Sequence, residues 1–457
     1  MSSSAKKTTY TMDMTTGALL PKMLLFALPL MLSSILQLLF NAADLVVVSR
    51  FAGDNAMAAV GANGALINLM VNLFLGLSVG ANVLAARERG AGMMEDLNRT
   101  VHTAMLLSVV GGVVLIFVGL VGAPMLLRWM QAPAEILDQA VLYLRIYFLG
   151  MPANMVYNFG AALLRSVGDT RRPLYYLSIA GVINVVLNLI LVIVFHLDVA
   201  GVGIATVASQ LVSAVLVVRC MMKDSGDIRL ELRSLRIYGD KLKTILHVGL
   251  PAGLQGTLFS LSNTVIQSTV NGFGEIVVAG NAASANLEGF FYCAITATTQ
   301  ASLSFTSQNM GAGRRDRLPR IVLTASGILT VFMMGVAVVC NVWGADLLGI
   351  YSKTPEVVAA GLTRLLILGT TYALCGYMDI LSGSLRGMGY AMMPMIVSLL
   401  GACGFRLLWV STVMQIPAYH TIRVLFSAYP ISWGLTGMVH LTCWLIVLRR
   451  MKAKYDS

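Results

Sequence analysis

The stretch AMLLSVVGGVVLIFVGLVGAPMLL, residues 104–127, contains no charged side chain. An α-helix needs about 20 mainly apolar residues to cross the roughly 30 Å hydrocarbon core of a bilayer, so this stretch predicts a transmembrane helix. The whole 457-residue chain has the same character, because 57% of its residues are hydrophobic and 12% are charged. Soluble domains carry about 25% charged residues. The composition therefore indicates a polytopic membrane protein.

Apolar runs of similar length recur along the chain and are separated by short polar segments. We count twelve of them, which predicts an all-α membrane protein with twelve transmembrane helices. The predicted spans are 20–48, 56–85, 101–127, 137–163, 174–196, 199–221, 244–271, 276–307, 321–345, 357–383, 392–416 and 425–448.

The net charge of +11 follows the positive-inside rule. With the N-terminus inside, most of the 32 lysines and arginines lie in inner segments, and the outer segments hold only Arg50, Arg128, Lys353 and Arg423. We therefore expect both termini to be cytoplasmic in a multi-pass protein of a prokaryotic inner cell membrane. The positive charge is interpreted as a topology signal. We therefore expect the protein to contact the lipid bilayer and not to bind nucleic acid.

Two predicted inner loops carry the same motif. GAGMMEDLNRTVHTA begins at Gly90 and GAGRRDRLPRIVLTA begins at Gly311, an offset of 221 residues. The chain is therefore predicted to be a duplication in which each copy holds six spans. Because six is even, both copies have the same orientation and should be related by a pseudo-twofold axis along the membrane normal. Further pairs near this offset are Pro29/Pro251, Asn41/Asn263, Phe51/Phe273, Gly150/Gly369, Leu164/Leu385, Gly168/Gly389 and Pro173/Pro394.

The duplication predicts a two-lobed organisation. We expect a cytoplasmic tail at 1–19, an N-lobe at 20–222, a highly charged cytoplasmic linker at 223–243, a C-lobe at 244–449 and a tail at 450–457. Two lobes that move against each other can expose a site alternately to each side of a membrane. The organisation therefore favours a transporter over a rigid scaffold.

Ionisable residues inside predicted spans are functional candidates, because placing a charged side chain in hydrocarbon costs free energy. In the N-terminal copy, Gln37, Asn41 and Asp44 lie on one helical face because they are spaced four and three residues apart. If polar residues of other spans converge on Asp44, desolvation favours its neutral form, so that it can bind a proton near neutral pH, and the same oxygens can instead hold Na⁺. Alternatively, the amides only link helices. The other polar candidates for this ion-coupling site are Asn158, Asn184, Asn188 and Thr206.

The C-terminal copy offers different candidates. Asn263 occupies the position equivalent to Asn41, but Ile266 occupies the position equivalent to Asp44. Glu288 and Asp379 are the acids of this copy, and with Asn263 they are the candidates for substrate binding. Either acid can face a cavity and attract a cationic substrate, or form a buried salt bridge with Arg406.

Two further arginines and the cysteines are interpreted as structural. Arg145 and Arg364 are repeat equivalents near the outer ends of their spans, where snorkelling or capping is expected. The six cysteines are scattered singly, which predicts neither a metal site nor a disulfide framework. Nucleotide-binding and catalytic motifs are absent from the sequence, so we expect no cofactor and no enzyme activity, and transport driven by an ion gradient.

Several motifs carry a family resemblance. They are FNAADLVVVSRFAG at 40–53, LLRSVGDTRRP at 163–173, NVVLNLILV at 184–192, SFTSQNMGAG at 304–313 and LSGSLRGMGYAMMP at 381–394. With them, the chain resembles the multidrug and toxic compound extrusion (MATE) transporters. The resemblance implies two six-helix lobes around a V-shaped cavity, and export of an organic cation or amphipathic drug in exchange for H⁺ or Na⁺. We expect the protein to act as a monomer.

The resemblance also implies roles for single residues. The family's first-span aspartate matches Asp44, and its partners match Gln37, Asn184 and Thr206, with Asn158 as a looser match. Two departures limit the transfer. Archaeal members have a second aspartate where this chain has Asn188, which leaves the coupling ion open. Another branch has a seventh-span glutamate where this chain has Phe259, so its cation site is not carried over.

Two other functions remain alternatives on the sequence. A flippase for a lipid-linked sugar or cell-wall precursor would favour a strongly basic central cavity that holds a pyrophosphate. Arg406 is the only basic residue that we place at mid-span, and the acids outnumber it, which favours a cationic cargo. A receptor or scaffold that transports nothing is the other alternative.

Overall fold

The computed structural model describes residues 10–129, 133–224 and 226–456. This described part of the chain is built from helices and contains no β-strand. Residues 1–9 of the predicted N-terminal tail, with Lys6 and Lys7, lie outside the described residues.

Helices follow the predicted spans closely. The first half of the chain contains α1 (Leu19–Phe51), α2 (Asp54–Gly90), α3 (Met94–Trp129), α4 (Ala134–Leu149), α5 (Met151–Ser166), α6 (Arg171–Asn188) and α7 (Asp198–Lys223). The second half contains α8 (Gly239–Asn271), α9 (Glu275–Gly311), α10 (Leu318–Gly349), α11 (Pro355–Gly387), α12 (Met392–Ser398), α13 (Phe405–Ser411) and α14 (Ile422–Asp456).

Three predicted spans are interrupted helices. The fourth consists of α4 and α5, which are separated at Gly150 just before Pro152, where the ring of proline disfavours a continuous helix. The fifth is α6 extended by a π-helical segment, Leu189–Val194. The eleventh is α12 and α13 with a second π-helical segment, Leu399–Gly404, between them. Such π segments are rare and occur frequently at functional sites.

Among the described residues, nine helical stretches are long and apolar enough to cross a membrane. The predicted spans formed by α4 with α5, by α8 and by α9 do not reach this threshold. The helices α4 and α5 are each only 16 residues long. In α8 and α9 the mean hydropathy is lowered by polar side chains, such as Gln255 and Glu288, that line a cavity.

Contacts between residues divide the chain into two compact units. Unit 1 consists of the described residues of Met1–Asn63, with Ala81–Ile245 and Gln308–Arg315. Unit 2 consists of Gly64–Gly80, Leu246–Ser307 and Asp316–Ser457. Neither unit is one continuous segment, and the lobe boundaries at 20–222 and 244–449 stay predictions.

Each unit has its own helix packing. In unit 1, α3 packs against α4 and α5, and α6 packs against α1 and α7. In unit 2, α11 packs against α10 and α14. The segment after α7 belongs to unit 1 and returns to α3, where His102 Nε2 accepts a 3.1 Å hydrogen bond from the backbone N–H of Glu231. The predicted linker is thus partly ordered, and α8 begins at Gly239 inside it.

Three pairs of glycines at the predicted offset have the same unusual backbone. In each pair both φ angles are positive, a region that residues with a Cβ avoid. The helices of the two copies therefore end in the same turns at equivalent points, which supports the duplication. The pairs and their φ angles are Gly53 (88°) and Gly274 (94°), Gly92 (72°) and Gly313 (69°), and Gly168 (83°) and Gly389 (96°).

The first glycine of each GAG motif permits a close helix contact within unit 1. A Cβ on Gly90 would lie 1.9 Å from the carbonyl oxygen of Gln308, and a Cβ on Gly311 would lie 1.8 Å from that of Arg87. Only glycine fits at such distances. The shared motif therefore places the ends of α2 and α9 in direct backbone contact.

Candidate functional site

Asp44 lies on α1 in unit 1 and is half-buried. The side-chain amide of Asn188, at the end of α6, donates a hydrogen bond to Oδ1 of Asp44. The same amide also lies 3.4 Å from Oδ1 of Asn184, one turn earlier on α6. Asn184 and Asn188 are buried. We call these three residues the carboxylate–amide cluster.

Local packing brings α6 close to α1 at this cluster. Gly181 lies one turn before Asn184, and a Cβ on it would lie 1.8 Å from the ring of Phe40 on α1. The glycine therefore lets the two helices approach at the level of Asp44. Directly after Asn188, α6 changes into the π-helical segment.

Two features of the cluster favour binding of a proton or cation. Oδ1 of Asn188 is buried and has no hydrogen-bond partner within the described residues, and buried acceptors without partners are rare. Asp44 forms no ion pair with any residue that the structure describes. Tyr143 on α4 is close enough to interact electrostatically with Asp44. This tyrosine was not among the predicted site residues, because no pattern in the sequence distinguishes it.

The other predicted members of the ion-coupling site are not bonded to the carboxylate. Gln37 and Asn41 are exposed on α1, and in the described chain neither forms a hydrogen bond with Asp44. Asn158 donates to the backbone and side-chain oxygens of its own helix at Asn154, both at 2.9 Å. Thr206 donates to a carbonyl one turn earlier on α7 at 2.9 Å. Among the described residues, the structure thus joins Asp44 to Asn188 directly and to Asn184 through Asn188, and the ion-coupling role stays a prediction.

Unit 2 contains a cavity of about 710 Å³. It is lined by residues of α8, α9, α11, α13 and α14, and by Asn72 of α2. The three predicted substrate-binding residues, Asn263, Glu288 and Asp379, all belong to its wall. The structure thus brings the three candidates to one cavity wall, and their role in substrate binding stays a prediction.

Glu288 and Arg364 form a buried bidentate ion pair in this wall. Nε and Nη2 of Arg364 each donate to one carboxylate oxygen of Glu288 at 2.7 Å. Nη1 of Arg364 donates to Oδ1 of Asn281 at 2.5 Å, and Ser284 donates to Glu288 at 3.1 Å. The interpretation of Arg364 as a snorkelling or capping residue was wrong, because its guanidinium neutralises a buried acid 76 residues away in the chain.

Among the described residues, Arg406 forms an ion pair with neither acid, so the structure does not support the alternative of a buried salt bridge between Arg406 and Glu288 or Asp379. Its side chain is 2% exposed, and its guanidinium carbon lies 4.2 Å from the ring centre of Tyr429 and 5.7 Å from that of Trp433. Nε donates to Ser432 at 3.1 Å, and Nη1 lies 3.5 Å from Oδ1 of Asn263. Aromatic faces and neutral oxygens hold this charge in place.

Arg386 is a further basic residue of the cavity, and it was not predicted. Arg386 lies beyond the predicted span 357–383, but α11 continues to Gly387 and places Arg386 in the cavity wall. Its Nη2 donates to Oε1 of Gln255 at 2.6 Å, and its buried Nε has no partner in the described part of the chain.

These contacts reverse the expected charge balance of the C-terminal copy. Among the described residues, the cavity is lined by three arginines, Arg364, Arg386 and Arg406, and by two acids, Glu288 and Asp379. The premise that acids outnumber the basic residues here was therefore wrong. The preference for a cationic cargo loses its main support.

A helical chain of two copies, with a carboxylate held by amides in one unit and a polar cavity in the other, has the architecture of a membrane transporter. A model of the MatE family matches two stretches, residues 29–190 and 251–410, which repeat the duplication. The chain belongs to the MATE family of multidrug efflux transporters, which are transporters and not enzymes. The resemblance recognised in the sequence is confirmed.

Individual relatives are similar over almost their whole length. A probable multidrug resistance protein of Bacillus subtilis, YoeA, is 26% identical over 425 residues, which cover 91% of each chain. An FAD transporter of Shewanella oneidensis is 24% identical over 432 residues, 93% of each chain. A multidrug resistance MATE transporter solved in an outward-facing conformation superposes with a TM-score of 0.89 at 22% identity, over 98% of this chain and 100% of that one. The predicted fold of twelve helices in two lobes is confirmed.

Proposed function

We propose that the protein is a secondary antiporter of the cell inner membrane that exports amphipathic organic compounds in exchange for H⁺ or Na⁺ bound at Asp44. The observation that carries this proposal is the carboxylate–amide cluster, in which Asp44 accepts a hydrogen bond from Asn188 and has no basic partner in the described chain. Both termini are proposed to be cytoplasmic, and the protein is proposed to act as a monomer.

The charge of Asp44 is the physical reason for the proposed role. A carboxylate inside a membrane protein is costly unless it is paired or neutralised. The side-chain amide of Asn188 supplies a donor, Nδ2, and an acceptor that has no partner among the described residues, Oδ1. A proton on Asp44, or Na⁺ held by its carboxylate and this amide oxygen, would neutralise the site. Binding of the ion would then favour the conformation that holds it better.

The kind of cargo is supported by the relatives and by the cavity. The Bacillus subtilis relative is described as a probable multidrug resistance protein. The cavity of about 710 Å³ has the size of a small-molecule site and combines aromatic walls with a few charged groups. Both features suit amphipathic organic molecules.

The experiment uses purified protein in liposomes. A proton gradient or a sodium gradient is imposed separately, and export of rhodamine 123, a cation, and of fluorescein, an anion, is followed. We expect one gradient to drive export of at least one dye by the wild type, and Asp44→Asn to lose this export. Asp198→Asn is the matched control, because Asp198 is an exposed carboxylate at the start of α7. Unchanged gradient-driven export by Asp44→Asn would refute the proposed role.

A flippase for a lipid-linked precursor is the second candidate function. It is favoured by Arg386 and Arg406, two cavity arginines that form no ion pair with an acid in the described part of the chain, since such groups suit a pyrophosphate. The FAD transporter among the relatives is also named for a cargo that carries a pyrophosphate. Deletion of the gene in its host distinguishes the candidates. An envelope defect with unchanged drug tolerance would support the flippase.

A further inference from the structure

The cavity of unit 2 contains one charge pair that is complete in itself. Glu288 and Arg364 satisfy each other through two parallel hydrogen bonds, which is the strongest geometry for such a pair. This pair contributes no net charge and offers little to a ligand. The charges left in the described wall are those of Asp379, Arg386 and Arg406, two positive and one negative.

Asp379 does not cancel the two remaining arginines. It lies close enough to Arg386 and Arg406 to interact electrostatically, but it forms no ion pair with either in the described chain. Even full compensation would leave one positive charge in the wall. A net charge in a low-dielectric site is costly, and a ligand of opposite charge relieves that cost.

Arg386 and Arg406 each have N–H donors for which the described residues provide no acceptor. Arginine carries five N–H donors in a planar fork. The hydrogen bonds of Arg406 use Nε and Nη1, and no acceptor for Nη2 is found among the described residues. Arg386 uses Nη2, and its buried Nε has no acceptor there. The hydroxyl groups of Thr299 and Ser382 also line the cavity, and both are buried without partners in the described residues.

The same wall offers aromatic surfaces. Tyr372 and Tyr429 each contact Trp433 edge to face, with ring centres 5.3 Å and 5.6 Å apart. Tyr292 also lines the cavity and is 46% exposed, so that its ring is free to stack on a ligand. Arg406 is held against Tyr429, and its position is therefore fixed before any ligand binds.

The geometry points to an aromatic organic anion as the ligand of this cavity, with its carboxylate, sulfonate or phosphate group bound by Arg406 and Arg386 and its ring stacked on the aromatic wall. Guanidinium groups bind such oxyanions with two parallel hydrogen bonds. This inference rests on the proposed function, since it names the class of compound that the antiporter exports. It replaces the cationic cargo expected from the sequence.

The first test measures binding without any gradient. Fluorescein and rhodamine 123 share a xanthene ring system and differ in charge, so fluorescence anisotropy with purified protein in detergent compares anion with cation. We expect fluorescein to bind more tightly than rhodamine 123, and 1-naphthyl phosphate to displace it. Tighter binding of rhodamine 123, or no binding of fluorescein, would overturn the inference.

The second test assigns the binding to the arginines. We expect Arg406→Met and Arg386→Met each to weaken fluorescein binding by about tenfold to a hundredfold, because each removes charge-assisted hydrogen bonds. Asp379→Asn should instead strengthen it, because it removes the unpaired acid. Arg145→Met is the matched control, since Arg145 is exposed and lies in unit 1. If Arg406→Met does not fold, Arg386→Met and Asp379→Asn still decide, and unchanged fluorescein binding in both overturns the inference.

The inference and the proposed function fail in different ways. The binding tests impose no ion gradient, and Asp44 lies in unit 1 and does not line the cavity. If wild type binds fluorescein but exports no dye under any gradient, the proposed function fails and the assigned ligand class stands. If rhodamine 123 is exported under a gradient and fluorescein is not bound, the assigned ligand class fails and the proposed function stands.

Discussion

Replacing Glu288 by glutamine removes one charge of the buried pair in the cavity wall and leaves Arg364 with a neutral amide. The pair is bidentate, with both N–O distances at 2.7 Å, and both side chains are largely buried, 5% exposed for Glu288 and 11% for Arg364. Breaking a buried pair by removing one partner costs about 3–5 kcal/mol, because the remaining charge loses its compensation. The remaining bond to Asn281 and the ring of Phe426, 5.2 Å away, compensate for only part of this loss.

The assay is equilibrium unfolding in detergent micelles by denaturant, with wild type and variant compared at the same detergent concentration. The expected loss for Glu288→Gln is about 3–5 kcal/mol in the free energy of unfolding. The double variant Glu288→Gln with Arg364→Met should recover most of it, because neither charge is then buried alone.

Glu95→Gln provides the control, because Glu95 pairs with Arg99 on the exposed face of α3 at 2.5 Å. An exposed pair of this kind contributes only about 0.3–0.5 kcal/mol. If Glu288→Gln costs no more than this control, or if the double variant is less stable than Glu288→Gln, the reasoning about the buried pair is wrong.

Three further predictions concern unit 1. Lys241 donates hydrogen bonds to Glu88 and Asp96, both at 2.8 Å. Burial by itself lowers the pKa of Lys241, but the two carboxylate acceptors have the larger effect, so that the pKa is raised. Lys241→Met therefore leaves the buried Glu88 without its cation and should lower the free energy of unfolding by about 3–5 kcal/mol, as measured by denaturant titration. Gly311→Ala forces a Cβ against a backbone carbonyl and should cost about 1–3 kcal/mol in the same assay, with a loss of transport if the helix ends separate. Gly92→Ala meets open space but has a φ of 72°, so it should cost about 1–2 kcal/mol from backbone strain alone, and an unchanged stability would contradict this.

The sequence predicted the helices and the duplication well, because both depend on local patterns. Apolar runs of about 20 residues locate the spans, and the paired glycines occupy turns that only glycine adopts readily. The repeat of Gly90 at Gly311 is explained by a backbone contact that excludes any Cβ at both positions.

The side-chain partners were predicted less well, because they depend on how helices are rotated against each other. The i, i+3 and i+4 spacing placed Gln37 and Asn41 on the face of Asp44, yet the partner that bonds Asp44 is Asn188, on another helix. No local pattern connects Glu288 with Arg364. Asp44, Asn188 and Glu288 were candidates on the sequence, but Arg364 was interpreted as a snorkelling or capping residue, and the pairs could not be predicted.

The end of α11 explains why Arg386 was not predicted to line the cavity. The predicted span 357–383 ends before Arg386, and a charge after an apolar run normally marks the end of a span. The helix α11 continues to Gly387, and a glutamine on α8 accepts a hydrogen bond from this arginine inside the cavity wall. Together with Arg364, Arg386 brings the arginines of the described cavity wall to three, against two acids, and so inverts the expected charge of the cavity.

The central claim is that ion binding at Asp44 drives export, and movement of the ion itself tests it most directly. Liposomes with purified protein are loaded on one side with a transported dye, no ion gradient is imposed, and counterflow of H⁺ or of radiolabelled Na⁺ is measured. The account predicts that wild type and Asp198→Asn move one of these ions against the dye, and that Asp44→Asn moves neither. Dye export without movement of either ion, or counterflow that persists in Asp44→Asn, would contradict it.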